Sequence, residues 1–358
     1  MTIEVESVAQ FDELVSSGAA QMGGWLLQDL DLRERTDQLL GLKPSGALFM
    51  GCELTHEAIV HLRTGGALLF PNIPELPFDP YRAALYTPDD LYAGMGESTY
   101  NDTPDARIYA WSRRRDGDLV FPLARALHDH AIDHALEDEL RGKRVVGVMG
   151  GHALSRDDDG YADAAHLGHR LAATGSYVVT GGGPGAMEAA NLGAYLSGRP
   201  ETVLTDALTM VAGVPGFAPS VGDWAQVAFD VRRRWTDGEA TIGIPTWFYG
   251  HEPPNAFASA IAKYFQNSLR EDTLLRHCDA GIVFLPGAGG TVQEIFQDAC
   301  ENYYADEGTL TPMVLVGKEH WSVEVPAWPL LKNLAKGRPM EEVIHLVDSV
   351  HDVPEALG

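Results

Sequence analysis

Basic residues are scarce in this chain: 26 lysines and arginines stand against 51 aspartates and glutamates, a formal net charge of -25. A surface of that sign repels a phosphate backbone, so nucleic acid is excluded as the principal partner and the acidity mainly favours solubility. Cysteine is nearly missing too. Cys52, Cys278 and Cys300 are odd in number and scattered singly, with no C-x-x-C, so neither a disulfide framework nor a zinc site is indicated and free thiols in a reducing compartment are expected. No apolar run approaches the ~18 residues of a membrane span. The opening MTIEVESVAQFDELV is acidic where a targeting segment needs basic or apolar residues, and a cytoplasmic location is therefore the expectation. Two catalytic signatures are also absent. Without G-x-x-x-x-G-K-[ST] an ATP P-loop is unsupported, and without G-x-S-x-G so is an acyl-transfer serine.

What is present is an ordinary globular composition, 45% hydrophobic and 22% charged over 358 residues, enough for two domains. Residues 1–141 form the first, a smaller mixed α/β region. Its three brief apolar runs, Gly24–Leu32, Ala47–Leu54 and Ala67–Pro71, are separated by polar or glycine-containing segments. A proline-rich connector spans Pro71–Pro88, and the turn-rich, aromatic stretch Tyr81–Tyr109 suggests no chemistry. The spacing of Leu123, Leu127, Ala131 and Ala135 predicts a helix over Phe121–Leu140. No internal repeat is apparent.

From residue 142 to the C-terminus the pattern alternates strand and helix, the signature of a parallel sheet covered on both faces, and predicts a Rossmann-like α/β domain. Strands are expected at Arg144–Met149, Ser176–Thr180, Ala240–Ile244, Gly281–Leu285 and Pro312–Val316, with Ile344–Val347 as a last candidate. Helices are expected at Ala162–Ala173, Met187–Leu196 and Ala256–Leu275. The most informative stretch is DAGIVFLPGAGGTVQEIFQDAC, Asp279–Cys300. A buried strand turns through Gly287, Gly289 and Gly290, Thr291 stands where an N-cap would, and a helix is predicted over Val292–Cys300. Such a junction aims free backbone N–H groups at the sheet edge, an anion site. Glu294 completes a T-x-x-E spacing, so it either caps its own helix or stands as a carboxylate at the mouth of a ligand crevice.

Two further glycine turns follow strands, Gly150–Gly151–His152 and Gly181–Ala186, and all three belong on the carboxyl edge of one sheet. His152 is either a ligand contact or a locally bonded loop residue. Gly181, Gly183 and Ala186 satisfy G-x-G-x-x-A, but a dinucleotide site also needs an acidic residue closing the next strand, and Asp206 falls in a helical segment; NAD is disfavoured. His130 and His134, four apart, have the spacing of metal ligands but read better as a solvated face, and no metal is expected. The basic triplets Arg113–Arg115 and Arg232–Arg234 read as solvated faces, with phosphate or subunit contact as the alternative.

Together the two glycine segments resemble a known family. PGAGGTVQE, Pro286–Glu294, is similar to the P-G-G-x-G-T-x-x-E signature of the LOG (Lonely Guy) phosphoribohydrolases, and GGGPGAM, Gly181–Met187, to their companion motif. GHEPPNAF, Gly250–Phe257, resembles a segment of the longer nucleotide 5'-monophosphate nucleosidases. The likeness covers residues 143–318. It implies hydrolysis of the N-glycosidic bond of a nucleoside 5'-monophosphate to free base and ribose 5-phosphate, without cofactor or metal, by a homo-oligomer. It also implies that Gly287, Gly289, Gly290 and Thr291 hold the phosphate, that Gly182, Gly183, Gly185 and Met187 contact the nucleotide on its other side, and that Glu294 and Arg270 are catalytic; Gly151 and His152 are expected at the substrate site by their place at the end of the first strand. The base pocket is expected from Trp247, Phe248 and His251. Two positions depart from the pattern. Ala288 replaces a glycine, harmless only at negative φ, and Glu271 stands where lysine usually follows the arginine. The lysine decarboxylase label of some relatives finds no support, since none of Lys143, Lys263 and Lys318 lies in a glycine cradle. The competing class is a nucleotide sensor of the same fold without turnover.

Overall fold

The computed structural model describes residues 3–114, 120–248, 252–306 and 308–358. It divides into two compact units, residues 1–84 with 115–135 and residues 85–114 with 136–358, the boundary falling within the helix Val120–Leu140. Among the described residues no helix is long and apolar enough to cross a membrane.

The first unit holds a four-stranded, all-parallel sheet in sequential order: β1 (Ile3–Val5), β2 (Trp25–Gln28), β3 (Leu48–Met50) and β4 (Leu68–Phe70). The expectation of no repeat fails here. Gly24-Trp-Leu-Leu, Gly46-Ala-Leu-Phe and Gly66-Ala-Leu-Leu enter successive strands in register, Leu26 beside Leu48 beside Leu68. Each entry glycine has positive φ, 82°, 81° and 89°, a conformation that a side chain would strain. The repeat escapes notice because only four or five positions per turn of chain recur, while the returning helices Val8–Ser16 and His56–Thr64 share no sequence. Phe11, Trp25, Leu27, Leu39, Phe49 and Leu62 fill the core beneath it.

The second unit is built on a seven-stranded, all-parallel sheet flanked by helices, the Rossmann-like architecture expected. Its strands are β5 (Val145–Met149), β6 (Tyr177–Thr180), β7 (Ile242–Gly243), β8 (Ala260–Ile261), β9 (Ile282–Phe284), β10 (Met313–Val316) and β11 (Ile344–Val347). All five residues of β5 are buried, as a strand covered on both faces must be. The order is β11-β10-β9-β5-β6-β7-β8, so the chain runs outward from β5 in one direction and returns to β5's other side with β9. The helix expected over Ala256–Leu275 is shorter, Asn267–Arg276, because Ala260–Ile261 pairs with β7 as an edge strand. Residues 201–211 and 222–233, which the sequence leaves helical or irregular, lie in two helices, Glu201–Val211 and Val221–Arg234.

The aromatic stretch without assigned chemistry has a structural role. Asp105, fully buried in the helix Pro104–Ser112, accepts hydrogen bonds from Tyr100 Oη (2.6 Å), Trp247 Nε1 (2.8 Å) and Lys263 Nζ (2.7 Å). A buried carboxylate held by three donors ties residues 85–114 to the larger sheet. Burial pushes the Lys263 ammonium below its ordinary pKa and Asp105 opposes that shift.

Candidate functional site

Ligand crevices form in parallel sheets where the strand order reverses, because neighbouring loops there leave in opposite directions. In the second unit that point lies between β5 and β9, and the loops that follow these two strands border a cavity of about 650 Å³.

The loop after β9 enters the helix Gly289–Tyr304, which begins three residues before the expected start. Ala288, not Thr291, is the N-cap, and it makes no side-chain capping bond. The capping-box role for Glu294 therefore falls: Thr291 is already the third residue of the helix. The first turn's amides have no partner within the helix, and the positive end of its dipole faces the cavity border. A Cβ on Gly289 or Gly290 would meet nothing within 4 Å, so the bare backbone there is open to a ligand. Thr291 is buried at 5% exposure and packs on Gly287. Ala288 has φ -120°, where alanine costs nothing, which answers the doubt over the missing glycine.

Glu294 turns inward, only 7% exposed, and its Oε1 lies 3.3 Å from Nη1 of Arg270 on the helix Asn267–Arg276. The same Nη1 is 2.8 Å from Oε2 of Glu271, which is 3% exposed and accepts at Oε1 from Asn267 Nδ2 at 3.2 Å. One buried guanidinium thus serves two buried carboxylates. Burial pushes the Glu294 carboxyl up to about 7, with Arg270 opposing the shift and Glu271 adding to it. Among the described residues Arg270 Nε has no hydrogen-bond partner.

Opposite stand Gly151, His152, Ala153 and Leu154 from the loop after β5, with Met187 and Glu252. His152 is solvent-exposed, and its Nδ1 lies 3.7 Å from Glu252 Oε1. Gly151, His152, Met187, Arg270, Gly287, Gly289, Gly290, Thr291 and Glu294 therefore converge on one cavity. Gly182, Gly183 and Gly185 do not border it. Gly182 and Gly185 have φ 71° and 72° and serve close packing: a Cβ on Gly185 would sit 2.4 Å from the Gly151 carbonyl oxygen, and one on Gly182 would sit 2.7 Å from Pro245. Gly183 accepts from Asn255 Nδ2 at 3.2 Å. This turn shapes the wall and presents only Met187.

The expected base pocket is corrected at Trp247. Trp247 is buried against Asp105 and does not border the cavity, Phe248 is 56% exposed, and His251 and Gly250 lie outside the described residues, as does Arg115. Ala153, Leu154 and Met187 supply the apolar wall instead. Arg232 bonds the Ala256 carbonyl at 3.2 Å and Arg233 pairs with Asp230, so neither is held toward the cavity. His134 pairs with Glu4 at 3.3 Å while His130 is exposed.

Sequence patterns also missed His320. Its Nε2 meets both the amide (3.2 Å) and the carbonyl (2.9 Å) of Gly287, and its Nδ1 lies 2.9 Å from Glu324 Oε2, so it braces the glycine loop while itself bordering the cavity. Nothing in KEHWSVE signals this, since the contact spans 33 residues.

No curated protein matches the chain. Among solved structures, the molybdenum cofactor binding protein of the phototrophic bacterium Rippkaea orientalis is 18% identical over 60% of this chain and 95% of its own, with a TM-score of 0.36. The Moco carrier protein of Chlamydomonas reinhardtii is 19% identical, over 60% and 95%, with the same TM-score of 0.36. Residues 143–199, which carry β5, β6 and the glycine turn that ends in Met187, match the model of the SLOG cluster4 family.

Proposed function

We propose that the second unit hydrolyses the N-glycosidic bond of a nucleoside 5'-monophosphate. The observation that carries this is the meeting of Glu294 and Arg270 within one cavity with an uncapped helix N-terminus at Gly289–Gly290. A phosphate suits the free amides and the dipole there. The ribose then lies over Glu294, and the base reaches toward Met187 and Leu154. As the C1'–N bond lengthens, positive charge grows on the ribose ring, and buried acidic groups beside it stabilise that charge more than water would. A water beside C1' gives its proton to a carboxylate, and the departing base takes one.

The test is a panel of nucleoside 5'-monophosphates incubated with the purified protein, scored for free base by chromatography. Wild type releases base, and Glu294→Gln lowers kcat by about 10²- to 10⁴-fold, the usual contribution of a positioned acid or base. A second function, binding without turnover, is favoured by one observation: Arg270 is already engaged by Glu271 at 2.8 Å and so is less free to serve a substrate. Nucleotide-dependent thermal stabilisation with no base released by wild type would establish that function instead.

A further inference from the structure

We propose that Glu271 and Glu294 work as a carboxyl dyad that shares one proton, clamped on Arg270, so that Glu271 is a working member of the site rather than a flaw in it; this rests on the hydrolase function above. The geometry is direct. Oε2 of Glu271 and Oε1 of Glu294 lie 2.8 Å and 3.3 Å from the same Nη1 atom, and both side chains are more than nine-tenths buried. Two ionised carboxylates against one guanidinium would leave a net negative charge out of water. Such a pair takes up a proton, because like charges so close and so dry cannot both stay ionised.

Among the described residues, the other charged and titratable groups around Glu294 do not supply the missing positive charge. On its own helix burial pushes the Asp298 carboxyl well above the ordinary carboxyl range, and burial likewise pushes up the Cys278 thiol. Across the cavity His152 faces Glu252, and His320 is occupied by Gly287 and Glu324. Glu294 and Glu271 both lie against Arg270 Nη1, so a proton taken up at either one is shared across the pair.

One shared proton gives the site an acid and a base together. The ionised carboxylate takes a proton from water, the hydroxyl oxygen forms its bond to C1', and the C1'–N bond breaks with its electron pair passing to the base nitrogen. That nitrogen takes the proton the dyad held. The dyad ends as it began, with one proton, and the balance is one water consumed for one base and one ribose 5-phosphate. The proton belongs to the pair, not to either residue.

The experiment has two arms on the full chain. Glutamate-13Cδ-labelled protein is titrated by NMR, and kcat/KM for base release is followed against pH, for wild type and for Glu271→Gln. The dyad predicts a site carboxyl in wild type that ionises near pH 7, missing from Glu271→Gln, and a rate that falls above that pH. In Glu271→Gln the remaining carboxyl ionises at least about one unit lower, so turnover at pH 7.5 drops by about tenfold or more while KM changes little. If no wild-type carboxyl titrates between about pH 6 and 8, the dyad is wrong, whether or not Glu271→Gln folds. A pH–rate profile unmoved in folded Glu271→Gln overturns it as well. Titration near 7 with no base released by wild type supports the dyad and sinks the hydrolase, so the two failures are told apart.

Discussion

Both units of this protein are all-parallel β/α arrangements, but the cavity of the candidate site belongs to the second. In the first unit the strands lie in the order in which they occur, β1-β2-β3-β4, and every connection advances to the next neighbour. In the second, β5 is flanked by β6 and by β9, which follows it by more than a hundred residues. The loops of the first sheet follow one another along its edge, whereas those after β5 and β9 part and leave room for a ligand. The glycines differ in the same way. Gly24, Gly46 and Gly66 solve a local turning problem repeated three times, while Gly289 and Gly290 have no steric need to be glycine and lie bare beside the cavity.

The largest expected effect is on turnover. Glu294→Gln and Arg270→Ala should each lower kcat for base release by about 10²- to 10⁴-fold, and substitutions confined to the repeat, such as Leu27→Ala, should leave kcat intact while lowering stability by about 2–5 kcal/mol. Chromatography of released base beside denaturant melts checks both, and loss of turnover in folded Leu27→Ala would break the functional contrast between the units.

Stability should next separate the two kinds of glycine. Gly185→Ala places a Cβ 2.4 Å from the Gly151 carbonyl at φ 72°, and should cost about 3 kcal/mol or more. Gly46→Ala, at φ 81° with nothing nearer than 3.7 Å, should cost only about 1–2 kcal/mol. Equal losses in urea melts would mean that close packing around Gly185 is not what holds the cavity wall.

A third effect depends on pH. The Glu294 carboxyl is raised from 4.5 to about 7, mainly by burial, so the folded state holds a proton that the unfolded state has released. That contribution is present below pH 4.5 and is lost as pH rises to about 7, by on the order of 3 kcal/mol. Glu294→Gln should flatten this slope. A slope that persists in the variant would assign it to other carboxyls. The smallest effect should be that of Ala288→Gly, at φ -120°: it should not raise kcat and should cost at most about 0.5–1 kcal/mol.

Much of the second unit was legible in local pattern. Buried runs such as Val145–Met149 and Ile282–Phe284 announce parallel strands, and PGAGGTVQE announces a strand, a turn and a helix with a carboxylate on its first turns. The first unit was less so. Its repeat rests on a glycine and a few aliphatic positions recurring at spacings of 22 and 20 residues, with unrelated helices between. At Thr291 the spacing misled, because T-x-x-E fits a capping box equally well whether the helix starts there or a turn earlier.

By itself the sequence determined the class of sheet, the glycine loop after β9 and the acidic surface, because each is written in residues close along the chain. Tertiary structure decided which of these act together. Arg270, Glu271 and Glu294 share one nitrogen across 24 residues, and His320 reaches Gly287 across 33. Strand order and helix packing bring these groups into contact, and their burial, which no spacing encodes, is what pushes the Glu294 carboxyl up.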